Sequence, residues 1–160
     1  MNNNFGDFFS SFQYDLPSEM SSGKIIKITT DSERTALCVT VSFSQLVTYD
    51  QIYDFCSFMK DKLSVRKFTV SCKFSPDMLT EDYFPEIFKF FKDRFSLVNG
   101  FFYDAVAKIN ESVVTIELKH GGYRLLKDNG ASRELSGLIE ELFSVRYRVE
   151  FTGLLENDSE

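Results

Sequence analysis

Apolar and polar positions along this chain change period in the same order twice. In residues 23–75, Ile26 and Ile28 alternate with Lys27 and Thr29, and Leu37, Val39, Val41 and Phe43 alternate with Cys38, Thr40 and Ser42. Both runs predict strands with one buried face, joined by the polar hairpin loop Thr30-Asp31-Ser32-Glu33-Arg34. Thr48 is placed to cap a helix whose apolar stripe is Tyr49, Ile52, Tyr53, Cys56, Met59 and Leu63, and Phe68, Val70, Cys72 and Phe74 predict a third strand. The second pass begins with a hairpin around Ile109-Asn110-Glu111-Ser112, with Val114, Ile116 and Leu118 facing inward. Gly121-Gly122 leads into a short helical turn through Lys127, and Asp128-Asn129-Gly130 separates it from a helix carrying Leu135, Leu138, Ile139, Leu142 and Phe143. Val145, Tyr147, Val149 and Phe151 predict the last strand.

Even the junction of helix and final strand is spelled alike, Leu63-Ser64-Val65-Arg66 in one unit and Phe143-Ser144-Val145-Arg146 in the other. Because it falls where the period switches from helical to strand-like, it points to two related ββαβ modules in an α+β fold. Between them, Ser75-Pro76-Asp77 signals a turn, and Phe84, Ile87, Phe88, Phe91 and Phe95 form a helical stripe with Pro85 in its first turn. Tyr83 and Phe90 widen that stripe, so this bridging helix is expected to touch both modules, and Asn99-Gly100 to end it. Upstream, Phe5, Phe8, Phe9 and Phe12 have the spacing of one helical face, closed off by Pro17 and Ser21-Ser22-Gly23. That stripe either caps the first sheet or forms a partner-binding helix on a flexible arm. The resulting division is a Phe-rich helix and linker at 1–22, a first module at 23–75, a second module with the bridging helix at 76–152, and an acidic tail at 153–160.

Composition sharpens the picture in two places. Aromatics are 16% of residues, with 18 Phe and no Trp, which suffices to fill two small cores. The net charge of −6 resides at the ends: residues 1–22 hold Asp7, Asp15 and Glu19 without a base, and the tail holds Glu156, Asp158 and Glu160 without one. The remaining 18 acids balance the 18 Lys and Arg, so a strongly basic nucleic-acid-binding body is excluded while a local contact is not. Lys119, Arg124, Lys127 and Arg133 form the best local basic cluster.

No catalytic apparatus is legible. His120 is the lone histidine, beside Gly121-Gly122, and reads as an exposed loop residue. P-loop, GxGxxG and HExxH motifs are absent, and Lys60-Asp61-Lys62 and Lys92-Asp93-Arg94 have the pattern of solvated helix faces. Cys38, Cys56 and Cys72 form no CxxC pair, which suggests neither a disulfide framework nor a zinc knuckle. With no leader-like start or membrane-length apolar run, the expectation is a cytoplasmic segment without catalytic, metal or cofactor-binding residues.

With the bridging helix, the second module reads α-β-β-α-α-β, the order of the type II KH fold. A KH domain clamps a nucleic-acid backbone with a GxxG loop between its central helices, and this chain has Asp128-Asn129-Gly130-Ala131 there. One glycine and an acid argue against close approach of phosphate. More broadly, Gly23-Lys24-Ile25-Ile26-Lys27-Ile28, Leu46-Val47-Thr48-Tyr49-Asp50-Gln51-Ile52-Tyr53-Asp54 and Glu81-Asp82-Tyr83-Phe84 carry a resemblance to the N-terminal region of the PolC-type DNA polymerase III alpha subunit, across roughly residues 20–152. The Phe-rich start at Phe5 resembles it too. The resemblance implies a whole protein with DNA-directed DNA polymerase and 3′-5′ exonuclease activities, both beyond Glu160, and a recruitment role for this region in DNA replication. Its first part would be similar to the alpha-binding end of the clamp-loader tau subunit and its second part KH-like. The expected partner is therefore tau or another replisome protein, met through Phe5, Phe8, Phe9, Phe12, Tyr83 and Phe90. Single-stranded nucleic acid, bound weakly at the basic cluster, is the alternative, and no membrane contact is expected.

Overall fold

The computed structural model describes residues 3–95 and 100–153 of the chain. Asn99 and the tail acids Glu156, Asp158 and Glu160 lie outside them. The fold is mixed α+β, with two three-stranded sheets in two units that divide between Met78 and Leu79. Both sheets have the same plan: an antiparallel hairpin whose second strand is central, then a helical crossover to a parallel third strand.

In the first unit, β1 (Lys24–Thr30) pairs with β2 (Ala36–Ser42), and β2 with β3 (Lys67–Lys73), across helix α3 (Tyr49–Leu63). Val39, Val41, Phe43, Phe68, Val70, Cys72 and Phe74 are buried, as their alternation predicts. β1 departs from expectation. Its ladder slips between Ile25 and Lys27, so Ile25 turns inward while Ile26 and Ile28 are 57% and 45% exposed. The extra residue breaks the period of two, and alternation counted through Ile26 assigns the wrong isoleucine to the core. In α3 the buried positions are Ile52, Phe55 and Met59, while Tyr53 and Leu63 are exposed, so the inward stripe is rotated toward Phe55. Thr48 does cap this helix: its Oγ1 accepts from Gln51 N at 3.2 Å, and Gln51 Oε1 accepts from Thr48 N at 2.9 Å, closing a capping box.

The Phe-rich start is two short helical pieces rather than one helix. α1 (Phe5–Phe8) ends at Phe9, and a 3-10 turn follows over Ser10–Phe12, with Gln13 in left-handed backbone. Ser10 turns its hydroxyl back to Asp7 O, competing with the helix ladder. A further helical turn, α2 (Ser18–Ser21), starts after Pro17. Ile25 N donates to Asn3 O and Phe5 N to Gly23 O, both at 2.7 Å, so the chain start is tied to the edge of β1. A Cβ on Gly23 would stand 2.8 Å from Phe43 and Val41, which is why the tie requires glycine there.

The second unit runs α4 (Phe84–Arg94), β4 (Val106–Asn110), β5 (Val113–Leu118), α5 (Tyr123–Asp128), α6 (Ala131–Phe143) and β6 (Arg148–Gly153). This is the α-β-β-α-α-β order. Its core holds Phe84, Ile87, Phe88 and Phe91 of α4, Val114, Ile116 and Leu118 of β5, and Leu135, Leu138, Ile139, Leu142 and Phe143 of α6. Phe102 stacks on Phe88 at 4.6 Å between ring centroids and lies 5.9 Å from Phe151. The last strand begins at Arg148, so Val145 and Tyr147 belong to the approach and Val149 and Phe151 to the core.

Candidate functional site

Two surfaces stand out, one in each unit. In the first, Phe5 and Phe9 are core residues: Phe5 lies 4.9 Å from Phe9 and 5.1 Å from Phe55, and Phe9 lies 5.2 Å from Phe55. Their rings are not presented for docking. Phe8, one turn round, is 48% exposed with its ring 4.9 Å from Phe9, and Phe12 is half-buried 6.1 Å from Phe9. The cluster continues through Tyr14, 5.4 Å from Phe55 and 4.9 Å from Phe58, both Tyr14 and Phe58 being half-buried. Burial, with Asp54 and Asp15 nearby, raises the Tyr14 pKa above the ordinary phenol value. Phe8, Phe12, Tyr14 and Phe58 thus form an aromatic rim around a buried Phe5-Phe9-Phe55 centre. Sequence reading missed Tyr14 and Phe58 because neither lies on the stripe it counted; their signal was aromaticity without a helical partner.

The other partner-binding candidates are on the second unit. Tyr83 is buried, its ring 5.9 Å from Phe143, and Phe90 is half-buried on α4. Arg94 at the end of α4 grips Glu141 of α6 through two bonds of 2.5 and 2.7 Å, and this contact raises the arginine's pKa.

The four basic candidates separate. Lys119 pairs with Glu117 at 2.8 Å, and Arg124 is exposed on α5. Lys127 lies over the Tyr123 ring at 5.8 Å and, with Arg133, lines a groove along β6. That groove is two adjoining cavities of about 420 and 470 Å³ that share Ser132, Arg148 and Val149. Arg146 and Arg148 add cations, held at the surface by Glu140 at 3.5 Å and Glu150 at 2.5 Å. Ser136 donates to Tyr147 O and pins the approach to β6 against α6. Sequence reading missed both arginines; the signal was the Arg-x-Arg spacing of 146 and 148, which sets them on one side of an extended segment. In the α5–α6 turn, Gly130 has φ 76° and Asn129 Nδ2 donates to Leu125 O at 2.7 Å. This is a local helix stop.

His120 is exposed, 3.7 Å from Asp104. Burial pushes the Cys56 thiol up to about 12, which keeps it protonated and unreactive at neutral pH. Among the described residues no three His, Cys, Asp or Glu side chains are grouped to hold a metal ion, and no helix is long and apolar enough to cross a membrane. No family model matches the chain, and neither the curated proteins nor the solved structures contain a match to it.

Proposed function

We propose that this chain is a non-catalytic recruitment module from the N-terminal region of a PolC-type DNA polymerase III alpha subunit, docking the polymerase to another replisome protein, with clamp-loader tau as the partner. The observation that carries it is the aromatic rim of the first unit: a half-exposed Phe8 joined through buried Phe9 and Phe55 to half-buried Phe12, Tyr14 and Phe58. Aromatic groups preorganised in this way are the usual anchors of protein interfaces. The PolC-like stretches at 23–28, 46–54 and 81–84 support the family assignment. On this reading the segment acts in the cytoplasm without a cofactor, and polymerase and exonuclease chemistry belong to other parts of the whole protein. Isothermal titration of the chain with tau tests it: binding is expected, weakened at least about tenfold by Phe8→Ala with Phe12→Ala. No detectable binding by the intact chain sinks the proposal.

A second reading, a contact with single-stranded nucleic acid, is favoured by the placement of Lys127 and Arg133 in one groove with Arg146 and Arg148. It predicts oligonucleotide affinity that falls as salt rises, because bound cations are released from phosphates. A flat anisotropy response at low salt rules it out.

A further inference from the structure

The groove beside β6 has a feature that its charge does not account for. Arg148 N donates to Ser112 O at 2.9 Å and β6 pairs in parallel with β5, so alternate residues Val149, Phe151 and Gly153 turn both N–H and C=O away from β5. β6 is the outer strand of its sheet, and among the described residues no strand pairs with that edge. The cavities run along it, flanked by Ser132, Arg133 and Ser136 of α6. An open strand edge is a template for another strand.

We infer that the β6 edge is a docking site for an extended acidic peptide of a partner protein, which adds to the sheet as a fourth strand. The occupant is chosen by charge and by hydrogen-bonding pattern. Arg133, Arg146 and Lys127 beside the edge favour acidic side chains on the outward face of the incoming strand. The edge itself repeats donor and acceptor at strand spacing. A polypeptide satisfies both, while phosphate oxygens accept only and leave the Val149 and Phe151 carbonyls unmet. This rests on the recruitment reading for expecting a protein partner, but it names a surface separate from the Phe8 rim.

The test uses the full chain and a labelled synthetic peptide of alternating Glu and Val, the same peptide N-methylated at the amides that would face β6, and a dT oligonucleotide. The plain peptide should bind, slow the amide exchange of Val149 and Phe151, and lose about tenfold in affinity on N-methylation or on Arg133→Glu with Arg146→Glu. Circular dichroism of that variant checks that the fold is kept. Equal binding of the N-methylated peptide, no slowing of exchange, or binding of the oligonucleotide alone overturns the inference. Failure of the peptide to bind while tau binding is still weakened by Phe8→Ala with Phe12→Ala overturns the inference and leaves the recruitment reading intact; tau binding absent from the intact chain while the peptide still binds as expected contradicts the recruitment reading alone.

Discussion

Ser64 and Ser144 account for the spelling that the two units share. Each ends its crossover helix in left-handed backbone, at φ 54° and 55°, and each is followed by Val-Arg on the way to the third strand. A residue with a Cβ is strained in that conformation, and glycine is not. Ser64→Gly and Ser144→Gly should therefore each stabilise the chain by about 1 kcal/mol, read as a higher urea midpoint with unchanged slope. Asp31 is a second residue whose geometry makes a prediction. Its carboxylate accepts from Thr35 Oγ1 at 2.8 Å, Thr35 N at 2.7 Å and Ala36 N at 3.1 Å, and these bonds, with Arg66 at 3.7 Å, hold its pKa below the ordinary value. A depressed folded pKa means stability present above the unfolded value of about 3.9 and lost as pH falls through the folded one. A carboxyl carbon NMR titration of Asp31 should give a midpoint below the ordinary aspartate value, and Asp31→Asn should lose stability at neutral pH but not in strong acid.

At the scale of elements, the N-terminal segment is the most consequential. Its backbone pairs with the edge of β1 and its Phe5 and Phe9 fill the first core, so it is part of the fold rather than an arm beside it. Phe5→Ala or Phe9→Ala should cost about 3–5 kcal/mol, whereas Phe8→Ala should change stability little, by denaturant titration. Which Phe turns inward was not legible, because the stripe assumed one continuous helix and the chain switches to a 3-10 turn at Ser10. For the same reason β1 was misread: a bulge at Ile26 carries no local sequence mark. Elements with an uninterrupted period fared better. β2, β3, β5 and α6 bury the apolar positions that their periods assign, apart from a half-buried Leu37; the boundary at Thr48 falls where capping chemistry puts it, and α5 and α6 begin after Gly122 and Gly130, both in left-handed backbone.

For the whole molecule, the repeated ββαβ pattern was legible because both units obey one physical plan, a hairpin followed by a helix-covered parallel crossover. The stretches that carry the PolC resemblance have structural roles here. Gly23 admits the chain start, Thr48 and Gln51 close the cap of α3, and Glu81 accepts from Ile109 N at 2.8 Å at the edge of β4. Surfaces were less legible than cores. Arg146 and Arg148 meet Lys127 and Arg133 only once β6 is laid beside the α5–α6 pair, and Tyr14 meets Phe58 and Phe55 only once the N-terminal segment is laid against α3. The central claim, that this surface recruits a replisome partner, is tested most directly by isothermal titration of the chain with clamp-loader tau. The account predicts saturable binding that Phe8→Ala with Phe12→Ala weakens at least about tenfold while the fold is retained. Absence of binding by the intact chain, or binding indifferent to those two rings, would contradict it.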